Sequence, residues 1–267
     1  MADRTLCTRA SLTADLTRLG LAPGTTVLVH SSLKSLGWVC GGAPAVVLAL
    51  ADAVGPEGTV VVPTQSGEYS DPAGWQNPPV PESWWETIRE HMPAYDPAVT
   101  PTAGMGRVAD QLRTWPGAVR SAHPQVSFAA LGARARELME PHPLDDGLGP
   151  DSPLGRMAGS GAQVLFLGTG YATCTAFHLA EYRLPVTPRM TCGAPVRDAS
   201  GERVWQQYTD VALDERDFTG IGMALERARH VTVGPVGTAT ARLFPMGEAV
   251  DFATGWMRRH RTVPKPS

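Results

Sequence analysis

The chain reads as an α/β domain, and three observations predict it. Thr26-Val-Leu-Val-His30 and Thr59 to Val62 are short β-branched, apolar runs, and a helical segment from Pro44 to Val54 lies between them. Strand, helix, strand in that order is a βαβ unit. Gln163 to Leu167 is a third such run, followed by a glycine-bearing turn and a helical segment. Of the 267 residues 43% are hydrophobic and 18% charged, enough apolar material for a sizeable core.

The remaining elements follow from spacing and punctuation. Leu12, Leu16 and Leu19 fall at helical spacing within Ser11 to Leu19, with Ser11 as the expected cap and Gly20 as terminator. Pro23-Gly24 turns the chain into the first strand, and Gly41-Gly42 precede the helix that Pro44 opens. From Thr64 to Thr102 the rhythm breaks into Pro, Gly and aromatic residues, with one helix expected over Ser83 to His91. A loop this long inside a domain usually has a function. We expect one domain over residues 1–267 with an insertion-like lobe at residues 64–105. Regular structure resumes with a helix at Arg107 to Leu112, a strand at Ser127 to Leu131 and a helix at Ala133 to Glu140. A Pro/Gly/Asp loop, His142 to Pro153, precedes the strand at Gln163, and a helix is expected over Cys174 to Tyr182. Met190 to Arg197 and Arg203 to Val211, joined by Asp198-Ala-Ser-Gly201, read as a hairpin. Helices at Phe218 to His230 and Met246 to His260 follow, and Thr262 to Ser267 reads as a frayed tail.

Composition narrows the function. A net charge of −3 and the lack of a dense Lys/Arg run argue against a nucleic-acid partner. The same acidic balance suits a cationic small molecule. No apolar run is long enough to span a membrane, and the amino terminus lacks a signal-peptide core, so a cytoplasmic protein is expected. Cys7, Cys40, Cys174 and Cys192 form no CxxC pair, which points to neither a zinc module nor a disulfide framework.

Several motifs carry chemistry. Gly168-Thr-Gly170-Tyr-Ala-Thr173 follows a strand but lacks the sixth-position Gly or Ala and the later acidic residue of a dinucleotide fingerprint. Arg156-Met-Ala-Gly159-Ser-Gly161 has the RxxGxG form of a pyrophosphate loop, yet it leads into a strand and reads as a turn. His178 and Glu181 share one helix face, so the imidazole is a general base, half of a metal site or a buried structural histidine. No clear third ligand follows, and no metal is expected. His30-Ser31-Ser32-Leu33-Lys34-Ser35 ends a strand, where hydroxyls, backbone amides and a lysine can hold phosphate, cap the next element, or make Ser31 a nucleophile. Arg120-Ser-Ala-His123-Pro124 has the residues for an anionic ligand. Acidic residues cluster in loops at Glu68, Asp71, Asp145, Asp146, Asp151, Asp210, Asp214, Glu215 and Asp217, where they would attract an amine.

Taken together, these segments resemble the antibiotic N-acetyltransferase family, the aminoglycoside 3-N-acetyltransferases. The resemblance rests on Leu28-Val-His-Ser-Ser-Leu-Lys-Ser-Leu-Gly37, Pro63-Thr-Gln-Ser-Gly67, Trp115-Pro-Gly-Ala-Val-Arg-Ser-Ala-His-Pro124, Gly149-Pro-Asp-Ser-Pro-Leu154 and Thr175-Ala-Phe-His-Leu-Ala-Glu-Tyr182. It implies a central mixed sheet flanked by helices with a smaller lobe, distinct from the common acetyltransferase superfamily. It also implies acetyl transfer from acetyl-CoA, without a metal, to the 3-amino group of a 2-deoxystreptamine aminoglycoside, giving antibiotic resistance. The catalytic histidine falls on His178, with Glu181 on its helix; the partner acid falls on Asp210 or Asp214. Cofactor contacts fall on His30, Ser31, Ser32, Leu33, Lys34, Ser35 and Leu36, and on His123, Ser127 and Phe128. We expect the acceptor to meet Glu68, Tyr69, Asp71, Asp145, Asp146 and Asp214. The expected partner is a small-molecule amine, and the chain a monomer or homodimer. A different amine such as an aminophosphonate, an acyl-CoA hydrolase using Ser31 or Cys174, and a non-catalytic binding protein are the alternatives.

Overall fold

The fold is a computed structural model that describes residues 5–228 and 231–261. Its first third contains β1 (Leu6–Cys7), α1 (Arg9–Leu19), β2 (Thr26–Ser31), β3 (Trp38–Val39), α2 (Gly42–Val54) and β4 (Thr59–Pro63). The middle contains α3 (Trp85–His91), α4 (Arg107–Arg113), β5 (Val119–Arg120), β6 (Phe128–Gly132), α5 (Ala135–Met139), α6 (Pro153–Gly159) and β7 (Gln163–Leu167). The last third contains α7 (His178–Tyr182), β8 (Arg189–Arg197), β9 (Arg203–Val211), α8 (Phe218–Arg227), β10 (Thr232–Val236), β11 (Ala239–Pro245) and α9 (Met246–His260).

Seven strands form one mixed sheet in the order β10-β11-β7-β2-β4-β6-β5. The centre, β7-β2-β4, is parallel, and the flanking pairs on both sides are antiparallel. The central strands are apolar at successive positions because both sheet faces are covered. Val27 and Val29 pack on one face with Leu12, Leu16, Val46, Leu50 and Leu112 of α1, α2 and α4. Leu28, Val61, Val164 and Phe166 point to the other face, into a core built with α5 to α9. The period of two sorts neighbouring side chains between two separate cores. The β8–β9 hairpin stands apart as its own two-stranded sheet. It packs on the irregular segment before α4: Tyr95 donates its backbone N–H to the Pro195 carbonyl at 2.8 Å, and Arg203 reaches the carbonyls of Met92 and Arg89.

The expected fold class, a mixed sheet between helices, is the one observed, while several local expectations need correction. Thr8, not Ser11, caps α1; Ser11 is its reciprocal partner in a capping box, so two hydroxyls satisfy each other's backbone donors. Gly20 does terminate that helix in the left-handed region, at φ 110. Arg156 to Gly159 form the last turn of α6 rather than a free turn, because Ser152 caps the helix and Pro153 occupies its first position. The helix expected from Cys174 begins at His178, after two short 3-10 turns at Tyr171–Thr173 and Thr175–Phe177. β10 and β11 were not anticipated. Gly234 and Pro235 interrupt the first of them, and the second opens on the small residues Ala239, Thr240 and Ala241 and carries Arg242 beside Leu243, which hides the pattern. The expected end of the α8 helix at His230 and the tail Thr262 to Ser267 lie outside the described residues. Among the described residues no helix is long and apolar enough to cross a membrane.

Candidate active site

Carboxyl ends of parallel strands collect ligands because helix starts and loops converge there. β2 and β7 end side by side, with His30 opposite Phe166 and Ser31 opposite Leu167. The turn after β7 folds back over the loop after β2. A Cβ on Gly168 would lie 2.4 Å from that of Ser35, and φ there is +69°, so only glycine permits this approach. Ser35 donates its hydroxyl to Ser32 Oγ at 2.9 Å, and Thr169 donates its own to the His30 carbonyl at 3.2 Å.

A cavity of about 430 Å³ opens at this junction, lined among others by His30, Ser31, Met105, Thr175, His178 and Glu215. His178 opens α7 with its ring edge against Phe218, the centroids 4.7 Å apart. Its Nδ1 donates to Glu181 Oε2 at 2.7 Å, which leaves Nε2 as the ring's second nitrogen. Glu181 is fully buried, and its Oε1 accepts from Arg261 Nη1 at 2.6 Å and from the Asp214 backbone N–H at 3.0 Å. Burial holds the His30 imidazole down at about 4, so it stays neutral near pH 7; among the described residues its Nε2 has no hydrogen-bond partner.

Ser31, Gly104 and Met105 also line an adjoining groove of about 670 Å³, together with Ser32, Leu33, Lys34, Trp38 and Arg107. Among the described residues two cations, Lys34 and Arg107, and no carboxylate line this groove. Its charge and its serine hydroxyls fit a phosphorylated ligand.

Not every residue expected in the site is found there. Asp210 does not touch His178. It accepts from the Tyr182 hydroxyl at 2.9 Å and from the Gly147 N–H at 3.0 Å, and so ties the 142–153 loop to β9. Asp214 reaches the pair only through its backbone; Arg216 takes its carboxylate and holds it down at about 2. Leu36, Ser127 and Phe128 are buried, and none of them lines the His178 cavity or the adjoining groove. His123 is buried too, accepting the N–H groups of Gln125 and Val126 on Nδ1, and desolvation lowers it to about 4. None of Glu68, Tyr69, Asp71, Asp145 and Asp146 lines the His178 cavity. Asp71 pairs with Arg89 at 2.7 Å and caps the turn at Pro72, and desolvation raises Asp146 to about 6. Missed in their place were Thr169 and Thr175, which lie within quoted motifs but were given no role, Met105, which no motif marks, and Glu215, which had stood only as one loop acid among several.

Cys174 is a poor candidate nucleophile: it is fully buried, and burial pushes its thiol up to about 12. We expect Cys174→Ala to keep its turnover within about threefold of the unmodified chain. A trapped acetyl-thioester on Cys174, with turnover abolished in the variant, would overturn that assignment.

Comparison with known proteins joins this geometry to a family. The family model for aminoglycoside 3-N-acetyltransferase matches residues 28–258. The chain belongs to that family. It is 50% identical over 250 residues to the prophage-derived aminoglycoside N(3')-acetyltransferase-like protein YokD of Bacillus subtilis, covering 93% of this chain and 92% of the relative. The crystal structure of YokD superposes with a TM-score of 0.92, covering 95% of this chain and all of that one (100%) at 49% identity. Aminoglycoside N(3)-acetyltransferase IX of Micromonospora chalcea is 35% identical over 271 residues, covering 94% and 93% of the two chains. The structure described as AAC-IIIb binary with CoASH matches at a TM-score of 0.86 and 31% identity, over 98% of this chain and 100% of that one. The family is thus one of acetyltransferases, and a member of the same fold binds coenzyme A.

Proposed function

We propose that the protein transfers acetyl from acetyl-CoA to the 3-amino group of a 2-deoxystreptamine aminoglycoside, through a ternary complex with no acyl-enzyme. The observation that carries this reading is the junction at Ser31, Gly104 and Met105. There a cation-lined groove meets the cavity holding the His178–Glu181 pair. Lys34 and Arg107 would hold the phosphates, and Ser31 and Ser32 the adjoining arm. Acetyl-CoA supplies the activated acetyl group as a thioester. His178, with Nδ1–H fixed on Glu181, presents the lone pair of Nε2 and accepts the proton released as the acceptor nitrogen attacks the thioester carbonyl. The C–S bond then breaks, coenzyme A leaves as its thiolate, and the proton on His178 passes to that thiolate or to water. Glu181 orients the ring and stabilises the imidazolium that forms. Holding both substrates at one junction replaces the need for a covalent relay.

A second reading is favoured by one feature: the acceptor is a smaller amine. Glu215 is the only carboxylate residue lining the His178 cavity among the described residues, whereas a polycationic antibiotic is best met by several. The test is thiol release from acetyl-CoA in the presence of gentamicin, kanamycin, neomycin and apramycin-type acceptors, beside simple amines and aminophosphonates. Acceptor-dependent release with the antibiotics is expected. Turnover confined to the other amines would replace the acceptor but keep the chemistry. Acceptor-independent release would mean a hydrolase, and none at all a binding protein.

A further inference from the structure

Glu181 uses one oxygen on His178, and the other is held by a residue from the far end of the chain. Arg261 follows directly on α9, 80 positions beyond Glu181, and its Nη1 lies 2.6 Å from Oε1. The rest of its guanidinium is also engaged: Nε donates to Asp217 Oδ2 at 2.9 Å, and Nη2 to the Asp214 carbonyl at 2.6 Å. A planar fork with three separately oriented donors fits this arrangement, and an ammonium does not.

We infer that Arg261 is a positioning residue for acetyl transfer: it fixes the Glu181 carboxylate and balances its charge, and through that carboxylate sets the orientation and proton affinity of His178. The inference rests on the reading of His178 as the base. A buried carboxylate whose one charged partner was the imidazole would favour the imidazolium and leave less of the neutral ring free to accept a proton near pH 7. The guanidinium on the opposite oxygen offsets that pull while preventing rotation of the carboxylate. The other charged and titratable groups packed around the pair, among the described residues, do not duplicate it. Asp214, Glu215, Arg216 and Asp217 precede α8, where Asp214 pairs with Arg216 and Asp217 with Arg261 itself. Between α7 and α9, Arg183 pairs with Asp251 at 2.7 Å and Arg258 donates to the Arg183 carbonyl. His30 stands across the cavity, neutral.

The test uses the full chain labelled at histidine, with the His178 resonance assigned by its loss in His178→Gln, and follows R261M and R261K without substrates. In R261M the His178 titration midpoint is expected to rise by about one pH unit, the effect of removing one cation beyond a shared carboxylate. In R261K, which keeps the charge, the midpoint should stay within about 0.3 unit while kcat falls at least about threefold from the lost fork. A midpoint unmoved or lowered in R261M, or moved equally in both variants, would overturn the inference. The acid limb of kcat/KM should move with the resonance. A resonance that moves while that limb stays would remove His178 as base, and with it the role in acetyl transfer, and leave only the effect of Arg261 on the ring. Should R261M lose its cooperative melt, R261K decides alone: an unchanged kcat would refute the role of the fork.

Discussion

Replacing His178 with Ala is expected to lower kcat by about 10²-fold or more, the usual scale for a lost general base. The KM for acetyl-CoA should change little, because the cation-lined groove of Lys34 and Arg107 is separate from the imidazole. Loss of kcat at preserved KM marks an interaction made as the proton moves rather than on binding. The measurement is steady-state thiol release with the preferred acceptor from pH 6 to 9. A variant retaining near-normal kcat across that range would rule out His178 as the base. Glu181→Gln should fall between the two, since the amide still accepts from the ring N–H but carries no charge to stabilise an imidazolium.

The largest effect on stability is expected at Arg120, a residue whose motif suits an anionic ligand or a plain surface loop and which the structure makes into a clamp. Its guanidinium is buried and, among the described residues, has no carboxylate partner; the acceptors it finds there are neutral. Nη2 donates to the Thr64 carbonyl at 2.7 Å and to Ser66 Oγ at 2.8 Å, and Nη1 to the carbonyls of Thr100 and Pro97. Nε reaches the hydroxyls of Thr64 and Ser127, each at 3.2 Å, and the plane lies 5.2 Å from the Tyr95 ring. The residue thus fastens both ends of the irregular segment to β5, the edge strand of the sheet, just before Gly104 and Met105 enter the cavity wall. Arg120→Met would leave several buried acceptors unpaired, at a cost of roughly 3–5 kcal/mol. For a chain of this size that predicts a fall in Tm of about 6–15 °C by calorimetry. A fall of under about 2 °C would show that water takes over those acceptors and that the clamp is not needed.

How much of this was legible beforehand depended on whether the information was local. The strand Gln163–Leu167 and helix Met246–His260 fall where apolar periodicity places them, because each buries a face that its own residues define. His178 and Glu181 were readable as neighbours because positions three apart share a helix face. Their assignment as a pair, instead of a pairing with Asp210 or Asp214, was not readable: β9 passes close in space, and only the fold shows that Asp210 is taken by Tyr182 and Gly147. The same limit separates Lys34, which lines the groove, from Leu36, buried two residues later in the same motif. A motif marks a segment, whereas burial selects the side chains within it.

By itself the sequence determined the α/β class, the order of most elements, the family resemblance and the candidate histidine. These rest on short-range periodicity, turn chemistry and the order of motifs, all of which survive in one dimension. The tertiary structure alone decided that β10 and β11 complete the sheet and that Glu68, Asp71, Asp145 and Asp146 lie away from the cavity. It alone decided that Glu215 is the one of the loop acids to line the cavity, that Arg120 serves the fold and that Arg261 completes the hydrogen bonding of Glu181. The physical reason is the same in each case. Buried polar groups must find partners, and those partners come from wherever the packed chain brings a donor or acceptor within about 3 Å, at any separation in sequence.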